Sequence, residues 1–367
     1  MSDHSGAGVN ATGGLDREER GPLGFVVVGT GMIAGYHARA IRETVGARLV
    51  GVVSRSPDKG RRFAEEHGIS LVAGSVEEAA ARADIDVVNV TTPSGAHQEA
   101  ALAAIGAGKH VIVEKPLETT PERADRIIER AAARGVQLAT IFQGRFGAGA
   151  QRVKAALEAG RLGRLALASV YVKWHRSAEY YRTPWKGTWQ LDGGGALMNQ
   201  AIHGVDLLQW FAGLPSEVSA FIGRRVHTGI EADDTTVATL RFPDGALGTI
   251  EATTAAWPGW SRRIELCGEH GSIALEDDHI SRWEFASALP GDEEVRAAPR
   301  DAALGSGAGA AGGISLAGHL RQIADFVDAV RGRRPPLIDG HEGRKAVVLV
   351  DAIYRAESGH IRATLIR

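Results

Sequence analysis

The first half of the chain repeats one pattern: a short, continuously apolar run followed by an amphipathic stretch. The runs are GFVVVG (Gly24–Gly29), ARLVGVVS (Ala47–Ser54), DIDVVNVTT (Asp84–Thr92), KHVIVEKP (Lys109–Pro116) and VQLATIFQGRF (Val136–Phe146). Strands half-exposed to water alternate apolar and polar residues, whereas these do not, so they read as parallel strands covered on both faces. Between them HARAIRETV, SPDKGRRFAEEHG, HQEAALAAIGAG and ERADRIIERAAARG carry helical periodicity. A repeated βα order of this kind predicts an α/β fold with a doubly wound parallel sheet and right-handed crossovers.

After Phe146 the pattern changes. One helix, QRVKAALEAGRLG, leads into segments of period two: LALASVYVKWH, SEVSAFIGRRVH, DDTTVATLRFPDGALGTIEATTA and RRIELCGEHGSIALED. These predict an α+β domain with a large, open, mostly antiparallel sheet. AALGSGAGAAGGISLAG reads as a mobile loop, and two helices, HLRQIADFVDAVRG and EGRKAVVLVDAIYRAES, follow it. The 367 residues suit two domains. The expected division is a disordered polar lead-in over 1–21, an α/β domain over 22–146 and an α+β domain over 147–367. A net charge of −2 gives no electrostatic case for nucleic acid or an anionic membrane. The lead-in lacks the apolar core of a signal peptide, and one cysteine, Cys267, excludes an internal disulfide, so a cytoplasmic location is expected. Cys267 itself reads as a small buried residue.

Gly29-Thr30-Gly31-Met32-Ile33-Ala34 joins the first strand to the first helix. The first glycine permits a tight turn, the second lets backbone approach a pyrophosphate, and the small third residue lets helix and strand pack closely. Helix-start amides around Met32 and Ile33 then face the phosphates. No acid ends the second strand to hold a ribose diol; Ser54 and Arg55 stand there instead, which leans toward the 2′-phosphate of NADP, although Arg55 stacked on adenine would leave either cofactor open. Thr91, Thr92, Pro93 and Glu114 end the third and fourth strands, where such a sheet binds its ligand, and Lys115 follows Glu114 directly. A lysine desolvated there can work in acid–base chemistry. Pro116 is a candidate for a cis bond. Gln143 and Arg145 lie at the end of the fifth strand as further cofactor or substrate contacts.

In GGGALMNQAIHGVDLLQW (Gly193–Trp210), the polar residues Asn199, His203 and Asp206 share one helical stripe beside an apolar face. They are read as an active-site wall, with Asp206 either fixing the His203 tautomer or bonding an interdomain arginine. The glycines ahead of them would let substrate approach the backbone. Arg176, Tyr181, Trp185 and Trp189 supply a cation and aromatic faces suited to a sugar ring with an anionic group. His97 admits a packing or a nicotinamide-pocket role, and His37 a structural one. No spacing of metal ligands backed by acids is evident, so no metal is expected.

Together GTGMIA, TTPSGAH and AGKHVIVEKPLETT resemble the Gfo/Idh/MocA family, from about Gly24 through the closing IADFVDAVRGRRPPLIDG. The resemblance implies a Rossmann domain, a C-terminal domain with an open sheet, and homodimers or homotetramers formed through that sheet. It also implies NAD(P)(H)-linked hydride transfer at a secondary alcohol or ketone of a sugar, polyol or nucleotide-sugar. Similar enzymes carry an Asp-x-x-x-His pair partnered by the lysine of Glu-Lys-Pro. Here the pair reads Asn199 and His203, so proton transfer falls to His203 or Lys115, because an amide is no base near neutral pH. The form LDGGGALMNQAIH resembles the branch acting on nucleotide-sugar uronates. Redox-assisted elimination or glycoside cleavage with tightly bound NAD, and a non-catalytic dinucleotide sensor, are the other classes open to such a chain.

Overall fold

A computed structural model describes residues 21–299, 308 and 315–357. The expected lead-in and most of the Ala/Gly/Ser loop lie outside the described residues. The first sheet has six strands: β1 (Leu23–Val28), β2 (Ala47–Val53), β3 (Leu71–Ala73), β4 (Val87–Val90), β5 (His110–Val113) and β6 (Leu138–Thr140). Their order is β3-β2-β1-β4-β5-β6, and every pairing is parallel. The helices α1 (Met32–Glu43), α2 (Pro57–His67), α3 (Val76–Ala80), α4 (His97–Gly106) and α5 (Pro121–Arg134) connect them. Ser56, Ser75 and Thr120 cap α2, α3 and α5 through their side chains, and prolines open α2 and α5.

The strands are apolar throughout because successive residues face two different cores. Val26, Val28, Val88, Val111 and Val113 pack with Ala101, Ile105 and Ile127. Phe25, Val27, Val52 and Ile112 pack on the other face with Ala38 and Ile41, and with Ile323, Phe326 and Val327 from the far end of the chain. Each buried Val, Ile or Phe among them contributes about 1.5–3 kcal/mol.

Two expectations fail locally. β3 was not foreseen, being three residues long. The run Val136–Phe146 is strand only over β6. Beyond it the Phe142 N–H is taken by the Gln322 carboxamide rather than a neighbouring strand, and Gln143–Phe146 coils into a 3-10 turn.

The second sheet has seven strands: β7 (Leu165–Lys173), β8 (Glu217–Gly223), β9 (Thr235–Arg241), β10 (Leu247–Thr253), β11 (Arg263–Gly268), β12 (Gly271–Glu276) and the unforeseen β13 (His279–Phe285). The order is β13-β12-β11-β7-β10-β9-β8, antiparallel except for β7 with β10. One face packs Val170, Ala238, Leu240 and Ile250 against Ile202, Val205, Leu208, Leu349 and Ile353. That domain carries the helices α6 (Ala148–Glu158), α7 (Ile202–Ala212) and α8 (Asp292–Ala297); α9 (Leu316–Gly332) follows, and α10 (Gly340–Glu357) returns to the second sheet with Leu349 and Ile353. By its packing α9 covers α1 and so serves the first sheet. Cys267 is half-buried on β11 rather than sealed in the core. Among the described residues no helix is long and apolar enough to cross a membrane.

Candidate active site

A cleft of about 1440 Å³ runs from the carboxyl ends of β1, β2, β4 and β5 to the start of α7. Gly29 turns with φ +113°, a conformation open to glycine, and a Cβ there would meet Thr91 Oγ1 at 3.0 Å. Gly31 faces open cleft and caps α1 with no side chain, so the first-turn amides of Met32 and Ile33 remain available to a phosphate. Ser54 and Arg55 line the end of the cleft after β2 with Ser56 and Lys59, and Thr91, Thr92, Pro93, Glu114 and Gln143 line the middle. Thr92 Oγ1, Gln143 Oε1 and Trp174 Nε1 are buried there without a hydrogen-bond partner. Orphaned polar atoms along a cleft ending at a helix start fit a bound dinucleotide with its substrate.

At the waist of the cleft Lys115, joined to Pro116 by a cis bond, donates from Nζ to the main-chain carbonyl of Asn199 at 3.1 Å. Burial pushes the Lys115 ammonium below its ordinary range, against the pull of Glu114 and Asp192. Glu114 is buried and charged, held down to about 2 despite burial by the hydrogen bond to His37 and the nearby Lys115 charge. His37 is the structural residue expected. Its Nε2 lies 2.7 Å from Glu114 Oε1, and its Nδ1 lies 2.8 Å from Asn89 Nδ2. With His319 these two form the one group of three candidate metal ligands among the described residues. Both His37 nitrogens are already engaged, so the group reads as a brace for Glu114.

A π-helical turn, Ala196–Ala201, precedes α7. Such turns recur at functional sites because they rotate side chains out of α-helical phase. Asn199 and His203 line the cleft as expected. His203 lies edge-on to Phe142, and burial together with the nearby Lys115 charge pushes its pKa well below the ordinary value. It is neutral at physiological pH, able to accept a proton. Asp206 leaves the stripe. Both its oxygens take the Arg145 guanidinium, at 2.7 and 2.9 Å, and Arg145 also reaches Glu342 at 2.9 Å. Of the two readings for Asp206, the interdomain arginine holds. Arg145 is thereby spent on this buried clamp and is not a cofactor or substrate contact.

Opposite stand Trp174, Arg176, Tyr180, Trp185 and Lys186. Arg176 is buried and donates to Gln200 Oε1 through Nε and Nη2, at 3.1 and 2.6 Å. Lys186 places its ammonium 3.2 Å from the Tyr180 ring centroid, and burial lowers it to about 8. Asp192, itself buried, accepts from Asn199 Nδ2 and from the Gly187 N–H. Burial raises it to about 6.

Three expected contacts lie elsewhere. His97 is sealed behind the cleft between the carbonyls of Pro116 and Thr92, at 2.8 and 2.9 Å, so it packs rather than touching a cofactor. Tyr181 bonds Thr254 Oγ1 at 2.8 Å and stacks toward His227. Trp189 is 47% exposed, edge-on to Tyr354. The triple glycine does not serve the substrate either: a Cβ on Gly194 would meet Tyr354 Oη at 2.2 Å, and one on Gly195 the Asp233 carbonyl at 1.7 Å. Close packing of the chain on itself demands those glycines. Gln200 and Asp192 were not singled out from sequence, although both lie in LDGGGALMNQAIH.

Residues 23–142 match the oxidoreductase family with an NAD-binding Rossmann fold, and residues 150–274 match the GFO/IDH/MocA C-terminal domain. The chain belongs to the Gfo/Idh/MocA oxidoreductase family. It is similar to 1,5-anhydro-D-fructose reductase of Ensifer adhaerens, 33% identical over 64% of this chain and 69% of that one. It is also similar to inositol 2-dehydrogenase of Acidiphilium cryptum, 32% identical over 68% and 73%. Among solved structures, the WlbA dehydrogenase from Bordetella pertussis, in complex with NADH and UDP-GlcNAcA, is 33% identical and covers 95% of this chain and 99% of its own, with a TM-score of 0.85. The protein is thus an NAD-binding oxidoreductase of the dehydrogenase type.

Proposed function

We propose that this oxidoreductase interconverts a secondary alcohol and a ketone on a sugar carrying an anionic group, a nucleotide-sugar uronate first among the candidates. The observation that carries the reading is a neutral imidazole, His203, and a buried ammonium, Lys115, at the same waist of the cleft. Bound nicotinamide supplies the hydride acceptor or donor. His203 takes the hydroxyl proton at a ring nitrogen, and Lys115 Nζ donates to the substrate oxygen, opposing the charge that develops on it. In reduction the proton returns along the same path. Asn199 orients the substrate or its neighbours without acting as a base.

The anionic group is supported by Lys186 and Arg176, cations flanked by the Trp185 and Tyr180 rings in the same cleft, and by the ligand of the Bordetella relative. Arg55 and Lys59, with no carboxylate directly after β2, support acceptance of NADP(H) beside NAD(H). A homodimer or homotetramer through the outer face of the second sheet is supported by Phe221, 78% exposed, directly opposite Val237. Light scattering on the purified protein tests that assembly, and a monomer would refute it.

Nicotinamide absorbance with NAD⁺ and NADP⁺ across free sugars, polyols and UDP-linked uronates tests the activity. Turnover on an anionic sugar, lost in Lys115→Met, is the expected result. Turnover confined to neutral polyols would overturn the substrate class.

A further inference from the structure

We propose that Asp192 is the positioning carboxylate of this site, fixing the direction of a buried hydrogen-bond chain that ends on Arg176 and keeping a negative charge before Lys115 and Lys186. Its catalytic consequence rests on the dehydrogenase reading above; its electrostatic consequence does not. Asp192 has 1% exposure and sits where the segment after β7 folds back on the start of α7. One carboxylate oxygen accepts from the Gly187 N–H at 2.7 Å, and the other accepts from Asn199 Nδ2.

The chain has only one consistent polarity. An ionised carboxylate accepts and never donates, so Asn199 turns its Nδ2 to Asp192 and presents Oδ1 onward. That oxygen accepts from Gln200 Nε2 at 2.6 Å, and Gln200 Nε2 also donates to Tyr180 Oη at 2.8 Å. Gln200 Oε1 is then left facing Arg176, a donor only, which fills it twice. An acceptor-only end and a donor-only end lock the two amides between them. If Asp192 takes a proton it becomes a donor and no longer fixes Asn199, whose reversed amide would set its NH₂ against Gln200 Nε2 while Arg176 still holds Gln200 Oε1. A buried donor facing a donor is costly, so the Asn199–Gln200 bond would be lost and the chain would keep only its Arg176 end.

The groups around Asp192 feel its charge. Lys115 from the end of β5 and Lys186 from the facing loop are both held toward the charged form by it, while Tyr180 and Tyr181 are pushed up by burial and by its charge. With burial raising Asp192 to about 6, the lock is set above that pH and released below it. Asn199 is the residue that separates this carboxylate from the waist of the cleft.

The test compares wild type, Asp192→Asn and the exchanged pair Asp192→Asn with Asn199→Asp. In the exchanged pair the carboxylate at 199 still accepts from Gln200, so the polarity toward Arg176 is restored. The first readout is acylation of Lys115 and Lys186 by an amine-reactive reagent across pH, followed by peptide mass spectrometry. Asp192→Asn should bring labelling of both lysines on at lower pH, and the exchange should return it toward wild type. The second is kcat/KM against pH. Wild type should lose activity below about pH 6. Asp192→Asn should lose that limb and fall at least about tenfold on its plateau, with recovery in the exchanged pair. Unchanged labelling in Asp192→Asn overturns the proposal, whatever the activity. Should that single variant not fold, an exchanged pair with labelling unlike wild type overturns it as well. Wild type that binds NADH yet turns over nothing in the panel refutes the dehydrogenase reading alone, and the labelling still decides Asp192.

Discussion

One turn of α7 separates two buried charge clusters of opposite character. Around Asp206 the clamp is closed: Arg145 spends its guanidinium on Asp206 and Glu342, and Glu342 also holds Lys345. Around His203 the cluster is open. Lys186 rests on an aromatic ring, Lys115 donates to a single carbonyl, and His203 is held neutral. Closed pairing fixes the two sheets' layers against each other, whereas incomplete pairing leaves groups with displaced proton affinities facing a cleft. The contrast shows how one helix can be scaffold on one turn and chemistry on the next.

The sharpest way to break this comparison is Lys115→Met. Proton-transfer groups contribute about 10²–10⁴-fold, so kcat/KM should collapse by that order, while the thermal midpoint holds or rises with a buried cation gone. A loss of stability matching the loss of activity would put Lys115 in the scaffold. Arg145→Met is the reciprocal. It strands Asp206 in the core and should cost about 3–5 kcal/mol by denaturant unfolding, much of it regained when Asp206→Leu is added. A neutral effect would mean the clamp is not what holds the layers.

A third cluster sharpens the picture from beneath the cleft. Burial drops His319 to about 4, and His97 and His203 are lowered by burial too. Below their ordinary pKa the unfolded chain binds more protons than the folded one, so stability falls as pH falls from about 6.5 toward about 4. His319→Gln should remove about 2 kcal/mol of the loss measured between about pH 7 and about pH 5. An unaltered slope would show that His319 titrates normally. The smallest effect is expected at exposed Arg55: Arg55→Ala should weaken NADPH about 2- to 5-fold in a fluorescence titration and leave NADH nearly unchanged. Equal losses for both cofactors would assign Arg55 to adenine stacking.

What could be read ahead of the structure divides along the same line. The glycine turn, the strand ends and Lys115 are legible because their chemistry and position are set within a few residues of chain. Asn199 and His203 were legible from helical spacing. That spacing left Asp206's purpose open between two readings, since its partner Arg145 lies 61 residues away and nothing local announces the pair. Asp192 and Gln200 gain their meaning only when the segment after β7 folds onto the π-helical turn. The triple glycine was seen but misread: it marks where Tyr354 and Asp233 press on the backbone, not where a ligand does. β3 and β13 escaped because a three-residue strand has no period to detect, and β13 mixes His279, Arg282 and Glu284 into its alternation.

The Lys115 ammonium is tethered to the main-chain oxygen of residue 199, not to its side chain. Every amino acid offers that oxygen, so the side chain at 199 can be exchanged by mutation while the lysine keeps its mooring. Position 199 is therefore a place where the site can drift toward new substrates without first losing its proton-handling lysine.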